Sequence, residues 1–116
     1  MIPFSPEDYC IRNEDTINAL KKDVGGEVAA MLLGVFIDET QALYEQIPDS
    51  LNAQNALEVT RLLHSIKSGS KTYGADRLAQ FSALLENAAR QEQLSDVETS
   101  MENLQSILND TLRHFT

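Results

Sequence analysis

The sequence has little cysteine, proline or glycine, and each shortage narrows the kind of protein it encodes. A single cysteine, Cys10, leaves no internal disulfide, and two histidines fifty positions apart offer no zinc-binding spacing. Three prolines and five glycines in 116 residues leave few helix breakers. The longest apolar run, 28–37, is too short to span a membrane. We therefore expect one helical domain in the cytoplasm.

Positive charge is also scarce, which bears on the partners. The net charge is −9, and this excess of acid argues against nucleic acid as a ligand. Four of the nine cations nevertheless lie close together, at Arg61, Lys67, Lys71 and Arg77. Asp76 is the only acid between positions 61 and 77, so this segment carries +3 while the remainder carries −12.

Apolar residues spaced three and four apart predict five helices. The predicted segments run from Asn13 to Gly25, Val28 to Ile47, Asn52 or Asn55 to Gly74, Leu78 to Ala88, and Ser95 to Phe115. Ser95 and Glu98 form a capping box at the start of the last one. Short connections favour an antiparallel up-down-up-down four-helix bundle with a short N-terminal capping helix. Residues 1–12 are a lead-in, and 13–116 form the domain.

The core of the bundle is predicted from the same spacing. In the second helix the predicted core positions are Val28, Met31, Leu32, Val35, Phe36, Leu43 and Ile47. In the third helix His64 lies opposite Val59, Leu62 and Ile66 on the helical wheel, so we expect its ring to face water. Side chains within roughly 60° of His64 on the wheel are basic or hydroxylic, namely Thr60, Arg61, Lys67, Ser68 and Lys71.

An exposed imidazole among cations is suited to carrying a phosphoryl group. Nearby cations favour the neutral ring, whose free nitrogen is a nucleophile, and they also stabilise phosphoryl oxygens. Lys67 and Lys71 follow His64 by one and two turns, Ser68 is small, and Gly74 is placed to end the helix with a positive φ. The sequence shows no phosphate-binding glycine loop, no metal site and no catalytic triad. We therefore expect a carrier that needs no cofactor of its own and has no autonomous kinase or phosphatase activity.

The run from His64 to Ala75 resembles the signature of the histidine-containing phosphotransfer (HPt) domain of bacterial phosphorelays. That signature has lysine three residues after the histidine and glycine ten residues after it, often followed by alanine, which Lys67, Gly74 and Ala75 match. The downstream pair 85–86 also fits the family pattern. The family usually has glycine where this chain has Ser68, and we expect this change to leave the ring accessible but to affect the rate or the choice of partner.

The resemblance implies a mechanism and partners. His64 would accept a phosphoryl group from the phosphoaspartate of one receiver domain and pass it to the aspartate of another, with Lys67 stabilising the charge. The receivers, expected in a hybrid sensor kinase and a downstream regulator, would hold the magnesium, and the protein would act as a monomer. We predict that the receivers dock on Leu57, Thr60, Arg61 and Lys71, although an exposed Leu57 is also compatible with an ordinary surface leucine.

Two other interpretations remain open. A helical adaptor without chemistry could carry one surface histidine by chance. The dimerisation segment of a histidine kinase usually has an acid after the histidine and soon a Thr-Pro pair, whereas here Ser65 and Ile66 follow and no proline occurs after Pro48. The sequence does not indicate which ring nitrogen reacts, which receivers are served, or whether the chain belongs to a larger kinase.

Overall fold

The computed structural model describes residues 2–116, and all regular structure in that range is helical. Met1, the first residue of the predicted lead-in, lies outside the described residues. A 3₁₀ helix at Pro6–Asp8 precedes seven α-helices in the described range. Their bounds are α1 Glu14–Val24, α2 Gly26–Glu45, α3 Ile47–Asn52, α4 Ala56–Tyr73, α5 Asp76–Arg90, α6 Leu94–Thr99 and α7 Met101–Phe115.

The four longest helices surround the core. α2 packs on α4, α4 on α5, α5 on α7, and α7 returns to α2, while α1 contacts α2 and α4. Asn13 caps α1 and Asn55 caps α4, since each side chain accepts hydrogen bonds from free backbone N–H groups of the first turn. The largest fully buried side chains include Ile17, Leu62, Ile66, Phe81, Leu85 and Leu104. None of the helices in residues 2–116 has the length and apolar character to cross a bilayer.

Two predicted helices are each divided in two. The second ends at Glu45, and the short α3 begins beside Pro48, whose missing N–H interrupts the helical hydrogen bonds. The last is divided at Ser100, whose hydroxyl donates to Asp96 O at 2.8 Å. The capping-box prediction was wrong, because Ser95 lies inside α6 and the residue before that helix is Gln93.

The predicted core face of α2 was also partly wrong. Val28, Met31 and Val35 are exposed, whereas the buried positions are Ala29, Leu33, Phe36, Ile37 and Thr40. Residues 28–37 contain apolar side chains on every side of the helix, so spacing alone does not select the buried face.

Gly74 ends α4 in the left-handed conformation that the sequence predicts, with φ of 83°. Its carbonyl accepts the backbone N–H of Asn13 at 2.7 Å, and a Cβ at this position would lie 3.0 Å from Cβ of Thr16. Glycine is therefore required both by the backbone conformation and by the close approach of α1. The turn fixes how α4 and α5 meet, and so it positions the side chains that face each other across them.

Candidate functional site

His64 lies in the middle of α4, and 56% of its side chain is exposed. The helical wheel predicted this exposure correctly. The ring is not free to rotate at will, however, because its Nδ1 lies 3.0 Å from Oε2 of Glu86 on α5. The imidazole thus presents one nitrogen to solvent while the other is held by the neighbouring helix.

Glu86 is a buried carboxylate shared by three partners. Its side chain is only 4% exposed, yet Lys67 Nζ lies 2.6 Å from Oε1, and the Arg90 guanidinium donates to the same Oε2 that faces His64. Burial acts to raise the pKa of Glu86, but the hydrogen bonds from Lys67, His64 and Arg90 outweigh it and lower the pKa below its ordinary value. The carboxylate is therefore ionised at neutral pH.

An ionised carboxylate dictates the protonation of the ring. Glu86 can only accept hydrogen bonds, so Nδ1 of His64 must carry the proton and donate it. In the neutral ring the lone pair then resides on Nε2. The site accordingly offers a nucleophilic nitrogen on an exposed ring whose orientation is fixed from below.

The predicted cations do not converge on the ring. Arg61 Nε donates to Glu58 Oε2 at 3.0 Å, and Arg77 Nε donates to the backbone carbonyl of Tyr9 at 2.9 Å, where it holds the lead-in segment. Lys71 is exposed and has no ion pair within residues 2–116. The expected environment of unopposed positive charge was wrong, because the group in contact with the ring is the anionic Glu86.

The remaining predicted positions lie along the same face of α4. Thr60 is half-buried and donates from its hydroxyl to Ala56 O at 2.7 Å, while Ser68 is exposed. Leu57 is 83% exposed. It lines a shallow cavity of about 260 Å³ between the start of α4 and the end of α5, together with Ala56, Thr60, Ala89, Arg90 and Glu92. Arg90 thus belongs both to this cavity and to the Glu86 cluster.

Sequence reasoning did not place Glu86 or Arg90 in the site. Glu86 was noted only as part of a family pattern, although an acid next to Leu85 and between buried alanines is an available signal for a paired buried charge. Arg90 lies one turn after it on the same side of α5. Only the packing of α5 on α4 shows that both residues reach the histidine.

Comparisons with known proteins agree with this geometry. The Hpt domain family matches residues 31–114. The phosphorelay protein LuxU of Vibrio harveyi is 27% identical over 109 residues, covering 91% of this chain and 96% of the relative. LuxU of Vibrio cholerae is 24% identical over 99 residues, covering 85% and 88%. The crystal structure of histidine-containing phosphotransfer protein B from Pseudomonas aeruginosa PAO1 has the same fold, with a TM-score of 0.85, 23% identity and 90% of each chain covered.

The chain belongs to the Hpt domain family. It is a histidine phosphotransfer intermediate of phosphorelay signalling, similar to the LuxU phosphorelay proteins. Proteins of this kind are carriers and not kinases, and in phosphorelays they interact with receiver domains.

Proposed function

We propose that His64 is the phosphoacceptor and that its Nε2 is the reacting nitrogen. The observation that carries this proposal is the 3.0 Å contact between Nδ1 of the exposed ring and the buried Glu86. The contact occupies Nδ1 and leaves Nε2 open to a partner. Of the two histidines in the chain, His114 has its Nδ1 2.7 Å from the carbonyl of Asp110 and has no carboxylate partner within residues 2–116.

The transfer follows from this arrangement. The lone pair of Nε2 attacks the phosphorus of a receiver's phosphoaspartate, the N–P bond forms, and the P–O bond breaks with its electron pair leaving on the aspartate carboxylate. The ring becomes positively charged while Nδ1 keeps its proton, and the carboxylate of Glu86 stabilises that charge. The reverse sequence on a second receiver discharges the ring.

Lys67 and Arg90 have a double role in this proposal. Both keep Glu86 ionised, and both place positive charge near the nitrogen that receives the phosphoryl oxygens. We expect Mg²⁺ to be held by the receiver, where it supplies charge neutralisation for the phosphoryl group. Residues 2–116 contain no cluster of three or more histidine, cysteine, aspartate or glutamate side chains arranged as a metal site.

Receivers would dock on the exposed face of α4. The shallow cavity beside Leu57 and Thr60 reaches Arg90, so an apolar side chain of the receiver could enter there while its aspartate approaches His64. Arg61 and Lys71 flank the same face and favour an acidic receiver surface. We propose the receivers of a hybrid sensor kinase and of a downstream regulator as donor and acceptor, with the protein acting as a cytoplasmic monomer without kinase or phosphatase activity of its own.

The fold proposal is kept in the same form. The ring of α2, α4, α5 and α7 supports an up-down-up-down bundle with α1 as its cap, because the two-residue connection between α4 and α5 leaves room only for an antiparallel turn. Residues 13–116 would form the phosphotransfer domain and residues 1–12 its lead-in.

Phosphorylation of purified protein tests the assignment of His64. A receiver charged with labelled acetyl phosphate should label this protein, and the label should be acid-labile and stable to alkali. His64→Gln should abolish the label, while the matched His114→Gln variant should keep it. ³¹P NMR of the wild-type product should show the Nε2 phosphoramidate. Label on the His64→Gln protein would reject the assignment, and absence of any label with several receivers would favour the adaptor interpretation.

A further inference from the structure

The outer face of α2 carries a strip of exposed apolar side chains. Val28, Met31 and Val35 are 40%, 61% and 48% exposed. On the helical wheel they lie within about 60° of one another and on the opposite side from the buried Leu33 and Ile37. Three large apolar residues aligned over two turns of one exposed face form a continuous strip, in contrast to single exposed apolar residues scattered over a surface.

The surroundings of this strip are acidic. Between positions 23 and 60 the sequence contains seven acidic residues and no Lys, Arg or His. Glu27 precedes the strip, and Asp38 and Glu39 follow it, all of them exposed. None of these three carboxylates has an ion pair within residues 2–116. Their charge is therefore available to a partner.

We propose that this face of α2 is a docking surface for a basic amphipathic helix of another protein. The strip spans two helical turns, which matches apolar side chains at i, i+3 or i+4, and i+7 on a partner helix. The uncompensated acids on either side select Lys and Arg on the flanks of that helix. A second copy of this chain fits poorly, because the same acids would face one another.

The docking surface extends toward the phosphotransfer site without including it. Glu39 and Ala42, farther along α2, line a cavity together with Ser65, the neighbour of His64. A helix bound on α2 would thus lie next to the face that a receiver visits. The proposal does not depend on the chemistry at His64, since binding to α2 is measured with unphosphorylated protein.

Three synthetic peptides of about 15 residues test the surface. The first has leucines at helical i, i+3, i+4 and i+7 spacing among Lys and Arg, the second has the same composition in scrambled order, and the third has Glu in place of the basic residues. Fluorescence anisotropy should detect binding of the first peptide only, weaker at higher salt. Shifts in the ¹⁵N–¹H spectrum should map to Val28, Met31 and Val35.

A variant with a matched control decides the location. Met31→Gln should weaken the first peptide about tenfold, while Leu84→Gln, which alters an exposed leucine on α5, should leave its affinity unchanged. Circular dichroism should show that both variants are folded. Equal binding of the scrambled peptide, no binding, shifts outside α2, or full affinity of Met31→Gln would overturn the proposal. A concentration-dependent dimer that Met31→Gln dissolves would assign the face to a second copy instead.

Discussion

Nδ1 of His64 lies 3.0 Å from Oε2 of Glu86, a residue 22 positions later on the neighbouring helix. This contact links the exposed ring to a buried carboxylate that Lys67 and Arg90 also contact. The reactive nitrogen, the orientation of the ring and the charge after transfer all depend on it. The first three predictions test this link, and the others test docking and the turn that holds the two helices together.

Glu86→Gln should slow phosphoryl transfer by at least about tenfold, equivalent to about 1.4 kcal/mol in the barrier. The amide can donate as well as accept, so the ring is no longer confined to one tautomer, and the positive charge formed on transfer loses its counter-ion. Rapid-quench measurement with a phosphorylated receiver gives the rate, and ¹⁵N spectra of the imidazole give the tautomer. An unchanged rate with a single Nδ1–H tautomer would contradict the role assigned to Glu86.

Lys67→Met should slow transfer and lower the free energy of unfolding by about 1–3 kcal/mol, because it removes a charged partner from a buried carboxylate. Lys71→Met is the matched control on the same helix. Since Lys71 has no ion pair within residues 2–116, we expect its stability to change by less than about 0.5 kcal/mol. Urea denaturation measures both. Equal losses in the two variants would show that general helix charge, and not the contact with Glu86, is responsible.

The stabilisation due to Glu86 should depend on pH in one direction. Its pKa is lowered on folding, so the ionised carboxylate stabilises the fold fully above its ordinary pKa of 4.5, and this contribution is lost as the pH falls through the lowered value. The difference in unfolding free energy between wild type and Glu86→Gln should be constant near neutrality and shrink below about pH 4.5. A difference that grows as the pH falls would reverse the sign and refute the assignment.

Leu57→Ser should raise the receiver concentration needed for half-maximal transfer without changing the rate at saturation, because Leu57 is 83% exposed and contributes to docking and not to chemistry. Leu84→Ser, on the side of α5 roughly opposite Glu86, is the control. Thermal unfolding should be nearly unchanged in both variants. If the Leu57 variant behaves like the Leu84 variant with several receivers, Leu57 is an ordinary surface leucine.

Gly74→Ala should lower the free energy of unfolding by at least about 1–2 kcal/mol, because Gly74 has φ of 83° and an added Cβ would lie 3.0 Å from Thr16. Gly34→Ala is a sharp contrast, since no atom lies within 4 Å of an added Cβ in the middle of α2. That change should stabilise the protein by about 0.5–1 kcal/mol. Chemical denaturation of the two variants should therefore move the midpoint in opposite directions.

The local features of the fold were predictable from the sequence because they depend on short-range geometry. Asn13 and Gly74 bound their helices as predicted, and the wheel placed His64 on the exposed side of α4. The breaks at Gln46 and Ser100 were not predicted, since the apolar spacing continues across both. The α2 face was misassigned for the related reason that residues 28–37 are apolar on every side.

The sequence by itself determined that this chain is helical, that His64 faces water, and that a phosphotransfer motif surrounds it, because these properties depend on residues within a few turns of one another. Only the tertiary structure decided which groups contact the ring. Glu86 and Arg90 reach the site from α5, and their approach is set by how Gly74 turns the chain and how α4 and α5 pack. Contacts across 22 positions follow from packing geometry, which no local spacing encodes.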